Sequence, residues 1–115
     1  MTQNAVLKEI KMSSSKEYLD FIMDQLSPLG DVSCRAMMGE FILYYQGKIV
    51  GGIYDNRLLV KQTKAACEMM PDAPLELPYE GAKEMYLVEN ADESDFLCEL
   101  FFRIASELPE PKKKR

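Results

Sequence analysis

The chain has 115 residues, of which 47% are apolar, enough for one packed domain, and it lacks the run of ~18 apolar residues that a membrane span needs. Its 19 acidic and 14 basic residues give a net charge of −5, or −9 without the terminal bases Lys112, Lys113, Lys114 and Arg115, so electrostatic repulsion disfavours strong direct DNA binding by the folded body. Histidine is absent, which excludes Ser–His and Cys–His nucleophile pairs and removes the commonest metal ligand.

Residues 1–13 are predicted to form a flexible leader. They contain neither the apolar run nor the small-residue cleavage site of a secretory signal, so the sequence predicts a cytoplasmic protein. Cys34, Cys67 and Cys98 are odd in number and form no C-x-x-C pair. This pattern favours neither a disulfide framework nor a zinc knuckle, and we expect the three to be reduced core thiols.

A helix is predicted over residues 15–26. Ser14 and Glu17 have the S-x-x-E spacing of a capping box, and Pro28 and Gly30 end the segment. Its apolar side chains recur at helical spacing, at Tyr18, Leu19, Ile22, Met23 and Leu26.

A meander of three or four antiparallel strands is predicted next. Val32, Cys34 and Ala36 alternate with polar residues, so Arg35 is expected on the opposite face of the first strand. Gln46-Gly47 and Asp55-Asn56 are the predicted turns between residues 41–45, 48–54 and 57–62. Glycines at 51 and 52 inside the third strand indicate a bulge or a close approach of another backbone.

The C-terminal part reads as a short helix, a loop, a strand and a helix. Thr63 is the predicted cap of a helix over residues 64–70, and the prolines make residues 72–78 an extended loop. Residues 83–89 are predicted as a strand with Met85 and Leu87 on one face. Asn90 or Asp92 is expected to cap a final helix reaching residue 108, and residues 109–115 are predicted to be a basic flexible tail.

The order α-β(3-4)-α-β-α predicts an α+β fold of two layers, in which an antiparallel sheet carries the helices on one face. Residues 14–108 would form this single domain, because no internal repeat or second apolar pattern is present.

The central segment resembles the signature of the TfoX N-terminal domain family, which runs roughly as R-x-M-F-G-G-Y-G-I-Y, then a turn glycine, a strand and L-Y-L-K. Met38, Glu40 and Ile42 replace the usual phenylalanine, second glycine and third glycine. The positions that match directly or by class are Arg35, Met37, Gly39, Leu43, Tyr44, Gly47, Leu58 and Lys61.

The resemblance implies a secretion-chaperone-like (YgaC/TfoX-N-like) fold. It also implies a non-enzymatic role like that of transcriptional co-activators of bacterial competence, which act beside a cyclic-AMP receptor protein and usually carry a second helical domain. No catalytic, cofactor-binding or metal-binding residue follows from it. A transcription regulator or a second copy of the chain is the expected partner, and the chain is not expected to bind a membrane.

Two basic residues and two methionines are the candidate partner contacts. Arg35 and Lys61 would either pair with the abundant carboxylates or anchor a partner's carboxylate or phosphate. Met37 and Met38 would either fill core gaps or form an adaptable binding surface. Methionines 69, 70 and 85 carry the same alternatives.

Other patterns also leave alternatives. The aromatic residues Phe41, Tyr44, Tyr45 and Tyr54 would pack across strands or stack on a ligand. Nine carboxylates between positions 72 and 99 would form a solvated acidic face or hold a cation. The basic tail would be a solubilising end, a nuclear-import signal or a polyanion contact.

Three function classes follow. The sequence favours a protein-interaction module, with a homodimer through an exposed strand edge as one form of it. The alternative is a small-ligand-binding domain with a pocket between sheet and helices, lined by methionine and tyrosine. An enzyme would need a lone cysteine or a carboxylate pair without an imidazole base.

Overall fold

The computed structural model describes residues 14–110, so the predictions for the leader and most of the basic tail lie outside the described residues. Three helices surround one face of a six-stranded antiparallel sheet with the strand order β1-β2-β3-β4-β6-β5. The helices are α1 (Lys16–Leu26), α2 (Lys64–Met69) and α3 (Ser94–Ser106), and the strands are β1 (Val32–Met37), β2 (Glu40–Tyr45), β3 (Lys48–Tyr54), β4 (Arg57–Val60), β5 (Leu75–Glu76) and β6 (Met85–Leu87). The predicted α+β class and the two-layer arrangement are confirmed.

The cap of α1 differs from the predicted capping box. Ser15, not Ser14, is the N-cap, and its Oγ accepts a hydrogen bond from the backbone N–H of Tyr18 at 3.1 Å. Ser14 Oγ instead donates to Glu40 Oε1 at 2.8 Å and accepts from the N–H of Asn56 at 3.0 Å. The hydroxyl of Ser14 therefore binds the turn regions of two hairpins, at Glu40 and Asn56, and Ser15 caps the helix.

Two-residue turns join the first four strands, as the meander predicts. Both central residues of each turn have positive φ: Met38-Gly39, Gln46-Gly47 and Asp55-Asn56. That conformation defines the type I′ turn, whose twist matches that of paired strands. The register is consequently tight, with Met37 opposite Glu40 and Tyr54 opposite Arg57.

Both predicted roles of the paired glycines are present. The pairing of β2 with β3 shifts register between Leu43 and Tyr44, next to Gly51. A Cβ at Gly51 would collide with the carbonyl oxygen of Leu59, and one at Gly52 would lie 2.8 Å from the ring of Tyr54. Glycine is required here because a neighbouring strand and an aromatic ring occupy the space of a side chain.

The C-terminal predictions need three corrections. The predicted loop over residues 72–78 contains β5, because Leu75 and Glu76 retain backbone donors between the prolines and pair with β6. Strand β6 is shorter than residues 83–89. Helix α3 begins later than predicted, with Glu93 as N-cap and no side-chain cap, because Asn90 belongs to a turn in which its carbonyl accepts from the N–H of Glu93 at 3.1 Å.

Apolar side chains form two clusters, one on each face of the sheet. The main core lies between sheet and helices, and its fully buried members include Ile22, Leu43, Ile53, Leu97, Leu100 and Phe101. On the other face, Ile42, Tyr54 and Leu59 are buried with Tyr44, Met85 and Leu87 packed against them. We call this second side the open face, because no helix of the described chain packs on it.

Candidate functional site

The open face is where the structure brings most of the candidate residues together. Strand alternation directs Arg35 and Met37 to it, since their cross-strand partners are Ile42 and Glu40. Five strongly exposed apolar residues lie on the strands of this face, in the turn after β1 or in the segment after β5. They are Met37, Met38, Ile49, Leu77 and Tyr79. Exposed apolar side chains grouped in this way are typical of an interaction surface.

Met38 is held in an unusual conformation at the tip of the first hairpin. Its φ is 53°, a left-handed conformation that costs a non-glycine residue about 1–2 kcal/mol. Its side chain is nevertheless 97% exposed, so no packing in the described chain compensates this cost. A strained and exposed apolar residue suggests selection for contact with something else.

A groove beside this tip, which we call the tip groove, has a volume of about 470 Å³. Its walls are mostly apolar and aromatic, and its one charged group is Glu40. Oε1 of that carboxylate accepts from Ser14 Oγ at 2.8 Å and from the N–H of Asp55 at 3.0 Å, so it is already engaged. The residues that line the tip groove are Met37, Met38, Glu40, Ile42, Tyr54 and Tyr79.

A second concavity of about 770 Å³, the side groove, lies on the other side of Tyr79. The basic residues in the lining of the side groove are Lys61 and Lys83, and its acidic residue is Glu84. Tyr54 and Tyr79 separate the two grooves with ring centroids 6.1 Å apart. The apolar part of the side groove comes from Ile49, Tyr54, Pro78, Tyr79, Ala82 and Met85.

The segment that carries Tyr79 is anchored at both ends. Arg57 donates to Glu76 Oε1 at 2.8 Å and to the carbonyl of Leu77 at 3.2 Å. At the far end, the side-chain amide of Gln62 donates to the carbonyl of Glu84 at 2.9 Å. Tyr79 is 63% exposed, so it forms an exposed ridge between two grooves on a fixed backbone.

Arg35 and Lys61 differ in their surroundings. The ion pairs formed among residues 14–110 include neither of them. Arg35 is exposed at the sheet edge, whereas Lys61 is half-buried in the wall of the side groove. Within the described chain the salt-bridge alternative is therefore not realised for either base.

Burial of the phenol raises the pKa of Tyr54, with further contributions from Tyr79 and from the carboxylate of Glu40. The cause is that an ionised phenolate between two other acidic groups and away from water is disfavoured. Tyr54 therefore stays neutral and presents an apolar ring to the tip groove at physiological pH.

The prediction for the cysteines is wrong in one respect. Cys34 and Cys67 are exposed and Cys98 is half-buried, so they are not core thiols, although all three are free. Cys34 lies on the edge strand β1, where no helix within residues 14–110 covers it. The neighbouring thiol of Cys67 raises the pKa of the Tyr86 phenol.

The predicted acidic segment is largely exposed. Within residues 14–110, no group of three Cys, Asp or Glu side chains is arranged to hold a metal ion. No helix in the same range is long and apolar enough to cross a bilayer.

Sequence reasoning missed Tyr79, Ile49 and Lys83. A loop rich in prolines predicts no packing partner, and only the tertiary structure places it over Tyr54. The available signal was an aromatic residue between Pro78 and Gly81, a position where burial in a core is uncommon. The methionines that were candidates for core filling or for a binding surface differ in burial: Met70 is buried, whereas Met37 and Met38 are exposed.

Comparison with known proteins supplies the family. The TfoX N-terminal domain pattern matches residues 24–107. An uncharacterised 12.7 kDa protein encoded in the trpE 5′ region of Spirochaeta aurantia is 33% identical over 105 residues, which are 90% of this chain and 91% of that protein. The family match covers the whole sheet, with the exposed Met38 tip, and helices α2 and α3, and the chain belongs to the TfoX N-terminal domain family.

Proposed function

We propose that this chain is a regulatory protein-interaction domain that binds a segment of a partner protein on its open face. The family is in general a non-catalytic domain family, and its better-known members act on transcription regulators. A transcription regulator is accordingly the class of partner that we propose, in a cytoplasmic setting.

The observation that carries the proposal is the state of Met38. An apolar side chain that is 97% exposed at a strained position gains the most from being covered by another molecule, because burial of a methionine side chain contributes about 1.5–3 kcal/mol. Methionine is also adaptable in shape and suits a surface that accommodates a partner's side chain.

The chemistry of the grooves defines the partner segment. The tip groove offers apolar walls and two tyrosine rings, while Arg35 lies beside it and Lys61 and Lys83 line the side groove. An apolar or aromatic anchor residue with a carboxylate a few residues away fits this arrangement. The carboxylate would pair with a base on the rim, which adds specificity more than affinity.

A site-specific crosslink tests the proposal in the cells that encode the chain. A photoreactive phenylalanine derivative replaces Met38 in one variant and Phe102 in a control variant. Phe102 is 53% exposed on α3, on the helix side of the sheet. We expect a defined protein to be captured from position 38 and not from position 102.

The captured protein is then measured quantitatively. A peptide of its crosslinked segment should bind the unmodified chain, and Met38→Ser should weaken binding about tenfold, whereas Phe102→Ser should leave it unchanged. Equal capture from both positions, or equal affinity of the two serine variants, would contradict the proposal.

A small-ligand-binding role is the second candidate. The two grooves have volumes of about 470 and 770 Å³, within the range of small-molecule sites. Both lie on the open face, whereas the cavity beside α2 and α3, lined by Met69 and Met70, has only about 180 Å³. A metabolite that raises the melting temperature of the wild type but not of Tyr79→Ser would favour this role.

A further inference from the structure

The outer edge of β1 is a second surface with features of its own. All five residues from Ser33 to Met37 are exposed, although their side chains alternate between the two sides of the sheet. The helices therefore stop short of this strand, and the described chain leaves room on both sides of it. This edge is distinct from the two grooves, although its last residue, Met37, also lines the tip groove.

The hairpin register shows which backbone groups face outwards. In a two-residue hairpin the residues next to the turn, here Met37 and Glu40, exchange both hydrogen bonds, and such pairs then alternate along the ladder. Ser33, Arg35 and Met37 consequently direct their N–H and C=O groups towards β2. Cys34 and Ala36 direct theirs away from the sheet, and no hydrogen bond within residues 14–110 engages them.

The two edges of the sheet are built differently. The opposite edge, β5, has two residues and stands between Pro74 and Pro78, which are common devices against edge-to-edge pairing. Strand β1 has six residues, no proline, and no register shift in its pairing with β2. An edge of this kind is a template for another strand.

Hydrogen bonding and charge together favour one register for pairing between two copies. Only an axis through Cys34 pairs all three residues of β1 whose backbone groups face outwards, Val32, Cys34 and Ala36. A two-fold axis perpendicular to the sheet pairs residues whose side chains are on the same side. An axis through Arg35 would place two guanidinium groups opposite each other, which is destabilising. An axis through Cys34 instead places Ser33 opposite Arg35 and Val32 opposite Ala36. It also makes Cys34 and its symmetry mate a hydrogen-bonded pair, with Cα atoms about 5.5 Å apart.

We propose that two copies of this chain associate through β1 in the register centred on Cys34, which joins the two six-stranded sheets into one continuous sheet. Because the axis is perpendicular to the sheet, the two open faces lie on the same side. The dimer thus presents two tip grooves to one partner. If the open face has the proposed role, a two-fold symmetric partner would gain avidity from such an arrangement.

Crosslinking of the full chain tests the register. Cys34 and Cys67 are both exposed thiols, on β1 and on α2, so they form a matched pair. In the Cys67→Ser/Cys98→Ser variant, a short bis-maleimide should convert most of the chain to a covalent dimer. In the Cys34→Ser/Cys98→Ser variant it should not. Light scattering of the untreated wild type should give twice the 13.2 kDa mass of one chain.

Charge at position 33 provides a second test that leaves the fold intact, since Ser33 is exposed. Ser33→Glu would face Arg35 of the other copy twice per dimer and should lower the dimer Kd about threefold to tenfold, while Ser33→Lys should raise it by a similar factor. The proposal is overturned by a monomer at all concentrations, by a dimer that crosslinks through Cys67 rather than Cys34, or by equal Kd values for the two variants. None of these results depends on whether Met38→Ser alters partner binding.

Discussion

Glu107 Oε2 accepts a hydrogen bond of 2.6 Å from the backbone N–H of Ala65, and Oε1 of the same carboxylate accepts one of 3.0 Å from Lys64. The residue that ends α3 therefore caps the first turn of α2, together with Thr63, whose hydroxyl accepts from the N–H of Ala66 at 3.1 Å. A helix of six residues cannot maintain itself in water. Its stability depends on these contacts and on packing.

Removal of this carboxylate tests the dependence. We expect Glu107→Ala to lower the free energy of unfolding by about 1–2 kcal/mol, because two backbone donors at a helix N-terminus lose a charged acceptor. Glu110→Ala is the control: its ion pair with Lys48 spans 3.5 Å and the glutamate side chain is 87% exposed, so a change below about 0.5 kcal/mol is expected. Urea unfolding monitored by circular dichroism measures both, and equal effects would contradict the capping role.

Gly51 provides a test of the close approach between strands. Gly51→Ala places a Cβ against the carbonyl oxygen of Leu59, so β3 and β4 must separate, at a cost of about 3 kcal/mol or more. Gly81→Ala is the comparison, because nothing lies within 4 Å of its Cβ and only the φ of +90° opposes it, at about 1 kcal/mol. Thermal unfolding should rank the two variants in this order, and the reverse order would refute the steric explanation.

Ser14 connects the start of α1 to two hairpins, so we expect its removal to destabilise both hairpins. Ser14→Ala leaves the N–H of Asn56 without its acceptor and removes one of the two donors to Glu40 Oε1, whose other donor is the N–H of Asp55, in a site where the serine is 9% exposed. We expect a loss of about 1–3 kcal/mol. Ser33→Ala, at an exposed position of β1, should change stability by less than about 0.5 kcal/mol. Hydrogen exchange should also accelerate at Asn56 in the first variant only.

The raised pKa of Tyr54 predicts alkaline instability. In the folded protein the neutral phenol is favoured, whereas the unfolded chain titrates near the ordinary value of 10.0. The associated stability is thus fully present below pH 10 and is lost as pH rises through the folded pKa. In urea unfolding between pH 8 and pH 11, Tyr54→Phe should lose less stability than the wild type. Equal slopes for the two proteins would contradict the shift. Burial also raises the pKa of Tyr18, so some alkaline loss should remain.

Local chemistry in the sequence determined the meander and its turns. Dipeptides such as Gln46-Gly47 and Asp55-Asn56 accept positive φ, so the turn type follows from near neighbours in the chain. In β1 apolar and polar residues alternate, so the two faces of that strand follow from the sequence as well. The same reasoning placed Arg35 on the face opposite Cys34 and Ala36, as the register confirms. The apolar spacing of α1 and α3 likewise indicated helices that bury one side.

Long-range contacts decided what the sequence left open. Ser14 was diverted from capping by partners 26 and 42 residues away, and the cap of α2 comes from a residue 42 positions later in the chain. The two grooves exist because the loop carrying Tyr79 is tied to Arg57 and Gln62. Periodicity reports which side of an element is apolar, whereas the depth of a groove depends on where a loop is anchored. Only the folded chain supplies that information, because hydrogen bonds between distant residues leave no periodic trace in a single sequence.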